Sequence, residues 1–268
     1  MTILTKLRIV SYLAPNWLEF YQAIAAYLGR VLEIETQLHQ GECDPLKDPL
    51  LFQDQIDLAF ICGLPLIRYR QIFSDQLQAL AAPVMQASRY GNYPIYYADV
   101  IVNANSNIQK FADLSGKIFC YNDPGSNSGY NLLCHRLNQE KYPQNFFSKV
   151  IQSGFHQRSI RWVAEGLADC AAIDSVVLEQ ELRNFPELSQ HLRVVEVLGP
   201  CPMPPLVVSR RLGIYLIQQM QLALLRPDAQ LQTVMKQFGV RRFAAVELEN
   251  YRILNQIYSD RSCVGLSR

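Results

Sequence analysis

Several things are scarce in this chain, and each scarcity excludes something. Net charge is nearly absent: 25 Lys and Arg stand against 24 Asp and Glu, a formal +1. No run of like charge occurs, so there is no concentrated basic face for a nucleic acid. No stretch is long and apolar enough to span a bilayer. No apolar leader with a small-residue cleavage site precedes the first strand pattern at Leu7, which places the chain in the cytoplasm as written, or in the periplasm if this is a trimmed mature chain. The four histidines (His39, His135, His156, His191) show no metal-ligand spacing, so neither a metal nor another cofactor is implied. There is no P-loop, no G-x-G-x-x-G and no G-x-S-x-G elbow, and no residue is assigned a catalytic role. The seven cysteines are odd in number and scattered, without C-x-x-C. That pattern argues against a disulfide framework and for a reducing compartment.

What is present is ample core. At 268 residues and 49% hydrophobic content, the chain can form one large domain or two ordinary lobes. Leu7 to Tyr12 reads as a strand. A helix follows with Trp17, Tyr21, Ile24 and Leu28 on one face and Gly29 as its stop. Strands are expected over Leu32–Leu38, Ile56–Ile61 and Leu77–Met85, with a helix starting at Pro65. The first part is therefore β-α-β-α-β. A long extended run covers Ile95 to Val102. A second α/β unit follows: a helix near Ile108–Ala112, strands at Lys117–Tyr121, Val150–Gln152 and Cys170–Asp174, and helices at Ser128–Asn138, Arg158–Glu165 and Val176–Asn184. After a strand at Leu192–Leu198, the stretch Gly199–Pro205 reads as irregular. Leu206–Val208 resumes a strand, two helices are split by Pro227, and a last helix covers Val246–Ile257. Two α/β lobes result, residues 1–98 with 206–268 and residues 99–205. The two crossings between them place a ligand in the intervening cleft and permit hinge closure.

The stretch Tyr121-Asn122-Asp123-Pro124-Gly125-Ser126-Asn127-Ser128-Gly129-Tyr130 leads from a strand into a helix. Amides at such a helix start converge on one point, where the dipole favours an anion. Ser126 and Ser128 bring hydroxyls, and Gly125 and Gly129 permit close approach. The same stretch also reads as an ordinary N-cap with water above it. Tyr12, Cys62, the Ser126 loop, His156 and Asp174 all follow or end expected strands, the edge where open α/β sheets bind ligands. Each has a plainer reading: helix capping for His156 and Asp174, and core packing for Cys62, Trp17 and Tyr97.

Four stretches together carry a family resemblance: Ile56–Pro65 (IDLAFICGLP), Tyr96–Val102 (YYADVIV), Ser126–Asn131 (SNSGYN), and Gly154–Ser159 with Val163–Asp169 and Ala171–Ser175. In these the chain resembles the phosphate/phosphite/phosphonate solute-binding proteins of ABC transporters, which have the two-lobed, type II periplasmic-binding-protein fold with two hinge crossings. The resemblance implies a non-enzymatic receptor for a small oxyanion and a possible transporter permease as partner. It implies ligand contacts from Tyr12, Cys62, Gly63, Tyr97, Ser126, Asn127, Ser128, Gly129, His156 and Asp174. An enzyme on the same fold, or an intracellular sensing module, are the alternatives.

Overall fold

The computed structural model describes residues 4–41 and 44–259; Cys43 and Cys263 lie outside the described residues. The chain divides into two compact units, Met1–Ile95 with Pro202–Ile253, and Tyr96–Cys201 with Leu254–Arg268.

In the first unit the elements alternate: β1 (Lys6–Ser11), α1 (Leu18–Leu32), β2 (Glu35–Gln40), the single turn α2 (Pro49–Phe52), β3 (Leu58–Phe60), α3 (Gly63–Ile72) and β4 (Leu77–Met85). Trp17 is buried, as are Tyr21, Ile24 and Leu28 of α1. The expected stop at Gly29 is corrected. The helix runs three residues further and ends at Glu33 in the left-handed region, φ 54°. Gly29 serves packing instead: a Cβ there would lie 3.0 Å from the Ile34 carbonyl oxygen and 3.1 Å from Thr36, where the chain turns back into β2.

The second unit contains most of β5 (Ile95–Asn103), then β6 (Ile118–Tyr121), α4 (Leu132–Gln139), β7 (Lys149–Gln152), α5 (His156–Ala164), β8 (Cys170–Asp174), α6 (Ser175–Asn184) and β9 (Leu192–Pro202). Its sheet order is β7-β6-β8-β5-β9. β7, β6 and β8 are parallel neighbours and β5 is antiparallel to β8. The loops leaving β6, β7 and β8 therefore emerge along one sheet edge. Ile101, Cys120, Ala171, Ile173 and Ile160 form a core beneath it. Two expectations are corrected here. Phe111–Leu114 is one 3-10 turn, not a helix from Ile108. The Gly199–Pro205 stretch is not wholly irregular, because β9 continues to Pro202. β9 is the last strand of its sheet, and an edge strand tolerates residues that cannot donate to a ladder.

The chain then supplies the first unit with β10 (Leu206–Ser209), α7 (Ile214–Leu225), α8 (Ala229–Gln237) and β11 (Val240–Ala245), before α9 (Ile253–Ser259). β11 completes the order β11-β4-β10-β3-β1-β2 and runs antiparallel to β4. The sequence reading has no strand there. It also has one helix where Leu248–Tyr251 is a 3-10 turn ahead of α9. Cys62, Cys120, Cys170 and Cys201 form no disulfide. Cys134 is disulfide-bonded, although the scattered cysteines argue against a disulfide framework. Spacing does not show which cysteines a fold brings within bridging distance.

Candidate functional site

The loop after β6 is held from several sides. Ser126 caps the following turn, its Oγ accepting from the Gly129 amide at 3.0 Å. The Ser126 carbonyl accepts from the Asn131 amide at 3.0 Å and from Asn131 Nδ2 at 2.7 Å. Residues Asn127–Asn131 form one π turn before α4 begins, rather than the α-helical start expected at Ser128. The bond from the Asn131 amide to Ser126 spans five residues and widens the turn, a distortion that recurs at functional sites. With its oxygen accepting from Gly129, the Ser126 hydroxyl keeps its own proton as a donor.

The loop after β7 is stitched to this one. The Ser153 amide donates to the Tyr121 carbonyl at 2.8 Å, and the Gly154 amide to the Asn122 carbonyl at 3.1 Å. Ser153 and Ser159 share a buried 2.6 Å hydroxyl contact. This fixes the start of α5, which begins two residues earlier than the expected Arg158, so that His156 is its first helical residue.

His156 and Ser128 are both buried, with Nε2 and Oγ 3.2 Å apart. Burial pushes the imidazole down to about 4, so it is neutral at pH 7. Among the described residues its Nδ1 has no hydrogen-bond partner. A buried orphan acceptor is cheaper than a buried orphan N–H. The tautomer with hydrogen on Nε2 is therefore favoured, donating to Ser128 and leaving the Ser128 hydroxyl its own proton as a donor. The pair has no acid orienting the imidazole among the described residues, unlike a nucleophile–base–acid triad.

A Cβ on Gly129 would sit 1.8 Å from Asn122 Oδ1 and 3.1 Å from His156 Cε1. On its Cβ side Gly129 thus admits Asn122 and the His156 ring. Asp174 ends β8 and caps α6, Oδ1 accepting from the Val176 amide at 3.0 Å. Desolvation raises its carboxyl to about 7, against the lowering pull of the Val176 and Val177 amides. Tyr97, on β5, is half-buried and its amide donates to Ser175 Oγ at 3.0 Å. Ser126, Asn127, Ser128, Gly129 and His156 are thus one cluster, while Asp174 and Tyr97 lie together at the adjoining β8–β5 pair.

In the first unit, Tyr12 and Cys62-Gly63 follow the parallel neighbours β1 and β3. The Tyr12 amide donates to the Phe60 carbonyl at 2.9 Å, and its hydroxyl to Asp48 Oδ2 at 2.6 Å. Gly63 is the first residue of α3, whose N-cap, Cys62, makes no side-chain cap bond. Such a helix start suits an anion. Residues the sequence reading did not single out also belong to the second-unit cluster: Asn122, Asn131, Ser153, Ser159, Tyr96 and Cys201. Asn122 lies in the quoted loop, Asn131 and Ser159 in the resemblance stretches, Ser153 just before one of them, Tyr96 in the extended run and Cys201 in the proline-rich stretch, and position was the signal available.

A family model described as ABC transporter, phosphonate, periplasmic substrate-binding protein matches residues 9–251. The chain belongs to this phosphonate-binding family. Its fold is that of type II periplasmic binding proteins. PhnD1 from Prochlorococcus marinus, solved with methylphosphonate, superposes with a TM-score of 0.83 at 17% identity, over 97% of this chain and 99% of that one. A binding-protein component of an ABC phosphonate transporter from Pseudomonas aeruginosa gives 0.80 at 16%, over 94% and 85%. The Escherichia coli aliphatic sulphonate binding protein SsuA gives 0.61 at 17%, over 96% and 88%. No curated protein sequence matches. The family is described as periplasmic, and the cytoplasmic expectation has no support in these comparisons. Among the described residues no helix is long and apolar enough to cross a membrane, and no group of three or more His, Cys, Asp or Glu could hold a metal ion.

Proposed function

We propose that this chain is a non-catalytic receptor for a small phosphorus oxyanion, an alkylphosphonate first and phosphite or phosphate second, and that the Ser126–Gly129 loop binds the oxyanion. The observation that carries the reading is the hydroxyl pair Ser126 and Ser128: Ser126 Oγ accepts from the Gly129 amide, and Ser128 Oγ lies 3.2 Å from His156 Nε2, so that the Nε2–H tautomer leaves both hydroxyls a proton to donate. The methylphosphonate held by the Prochlorococcus relative supports the ligand class. A neutral His156 suits a ligand held by hydrogen bonds rather than by a cation. Gly63 at the uncapped start of α3, Tyr12, Cys62, Tyr97 and Asp174 are the further contacts we assign. A permease of an ABC transporter is the proposed partner. The proposed compartment is periplasmic, supported by the family description.

Isothermal titration against methylphosphonate, phosphite, phosphate and methanesulfonate tests the ligand class. Binding to at least one phosphorus oxyanion and not to the sulfonate is expected; heat from none of the three overturns it. Charged hydrogen bonds are each worth about 1.5–3 kcal/mol, so Ser126→Ala with Ser128→Ala costs about 3 kcal/mol or more, on the order of 100-fold in Kd.

A further inference from the structure

Asn127 lies between the two ligand-loop serines yet turns its side chain inward, where it is fully buried. Its Nδ2 donates to the Tyr96 hydroxyl at 2.8 Å and to Cys201 Sγ at 3.5 Å. Its Oδ1 has no partner among the described residues. A buried amide with one orphan oxygen is a costly way to fill a core, and an aliphatic side chain would fill it more cheaply. The two bonds it does make fall at particular places. Tyr96 is the first residue of the second unit, and Cys201 is the last before the chain returns to the first. Two of the three points at which the chain passes between units, Ile95/Tyr96 and Cys201/Pro202, are thus flanked by residues that Asn127 holds; the third is Ile253/Leu254.

We propose that Asn127 is a positioning residue, whose carboxamide fixes the ligand loop to both of these connecting segments and so sets the placement of the Ser126 and Ser128 hydroxyls. The proposal rests on the oxyanion reading for its affinity readout. Asn131 holds the same loop from its other side through the Ser126 carbonyl, so the loop is clamped between its own helix and the connecting segments. Neither Tyr96 nor Cys201 needs to touch a ligand for this to act on affinity, since a loop that must be ordered on binding binds more weakly.

The test is a double-mutant cycle of Tyr96→Phe and Asn127→Ala, read by methylphosphonate titration, melting temperature and native-state amide exchange. Tyr96→Phe removes one oxygen and keeps the ring, so it remains informative where Asn127→Ala fails to fold. Loss of one neutral hydrogen bond should weaken Kd by about three- to tenfold, and the double variant should be no weaker than Asn127→Ala alone. In the ligand-free protein, amides of residues 126–131 should exchange about tenfold faster in Tyr96→Phe, with β6 and β8 unchanged. A purely structural role would lower the melting temperature and leave the Kd of folded protein unaltered; that result, or additive effects on Kd, overturns the proposal. If the wild-type chain binds no phosphorus oxyanion, the ligand reading fails, and exchange of the loop alone decides: unchanged rates in Tyr96→Phe overturn the positioning role, and local acceleration supports it.

Discussion

His156 and Asp174 should give the protein two opposed pH dependences that become visible only when they are separated. The imidazole is neutral in the folded protein because burial lowers it from 6.5 to about 4. A lowered folded value means that stability is intact above 6.5 and is lost as the pH falls towards 4. At about 1.4 kcal/mol per pH unit, the loss over that window is about 3 kcal/mol. Asp174 behaves oppositely. Its carboxyl is raised from 3.8 to about 7, so its contribution is complete below 3.8 and is lost as the pH rises through 7, by about 4 kcal/mol. In the wild-type chain the two slopes nearly cancel between pH 4 and 6.5. His156→Gln should leave a protein that loses stability as the pH rises through this window, whereas Asp174→Asn should leave one that loses it as the pH falls. The double variant supplies the background from other groups. Urea melts of all four proteins at half-unit pH steps, with matched m-values, measure the slopes. If both single variants track the double variant within about 0.5 kcal/mol across the window, the two groups are not neutralised by burial and the reasoning fails.

Other outcomes follow from the same geometry. Gly129→Ala must displace the Asn122 side chain or the His156 ring. It should cost about 1–3 kcal/mol in chemical melts and weaken methylphosphonate by at least tenfold; a variant with wild-type stability and affinity would show that the Asn122 contact gives way freely. Under native conditions a charged thiol reagent should label Cys62, which is partly exposed, before Cys120, Cys170 and Cys201, which are buried. Burial pushes the Cys120 thiol up to about 12, so labelling of Cys120 or Cys170 should wait for unfolding, as mapped by peptide mass.

Much of this molecule is legible in its sequence, for identifiable reasons. Strands buried on both faces, such as Leu77–Met85 and Cys170–Asp174, announce themselves as apolar runs, and their observed bounds match the expected ones. That the Ser126 loop and His156 come together is legible because parallel strands put their carboxyl ends on one edge. β11 is not: Val240, Phe243 and two adjacent arginines make no clean alternation, and an outermost strand can be largely polar. The start of α5 was missed because Phe155, its N-cap, has no capping side chain. The Asn127 contacts were out of reach altogether. They join residues 31 and 74 positions apart, and no local pattern encodes such pairings. Gly129 reads as a position of close approach, and the group beside its missing Cβ is Asn122, which no local pattern names.

The most direct test of the central claim is a crystal structure of the chain with methylphosphonate. The account predicts phosphonate oxygens within hydrogen-bond distance of the Ser126 and Ser128 hydroxyls, with Asn127 still joined to Tyr96 and Cys201. A phosphonate bound elsewhere on the chain, with those hydroxyls facing water, would contradict it.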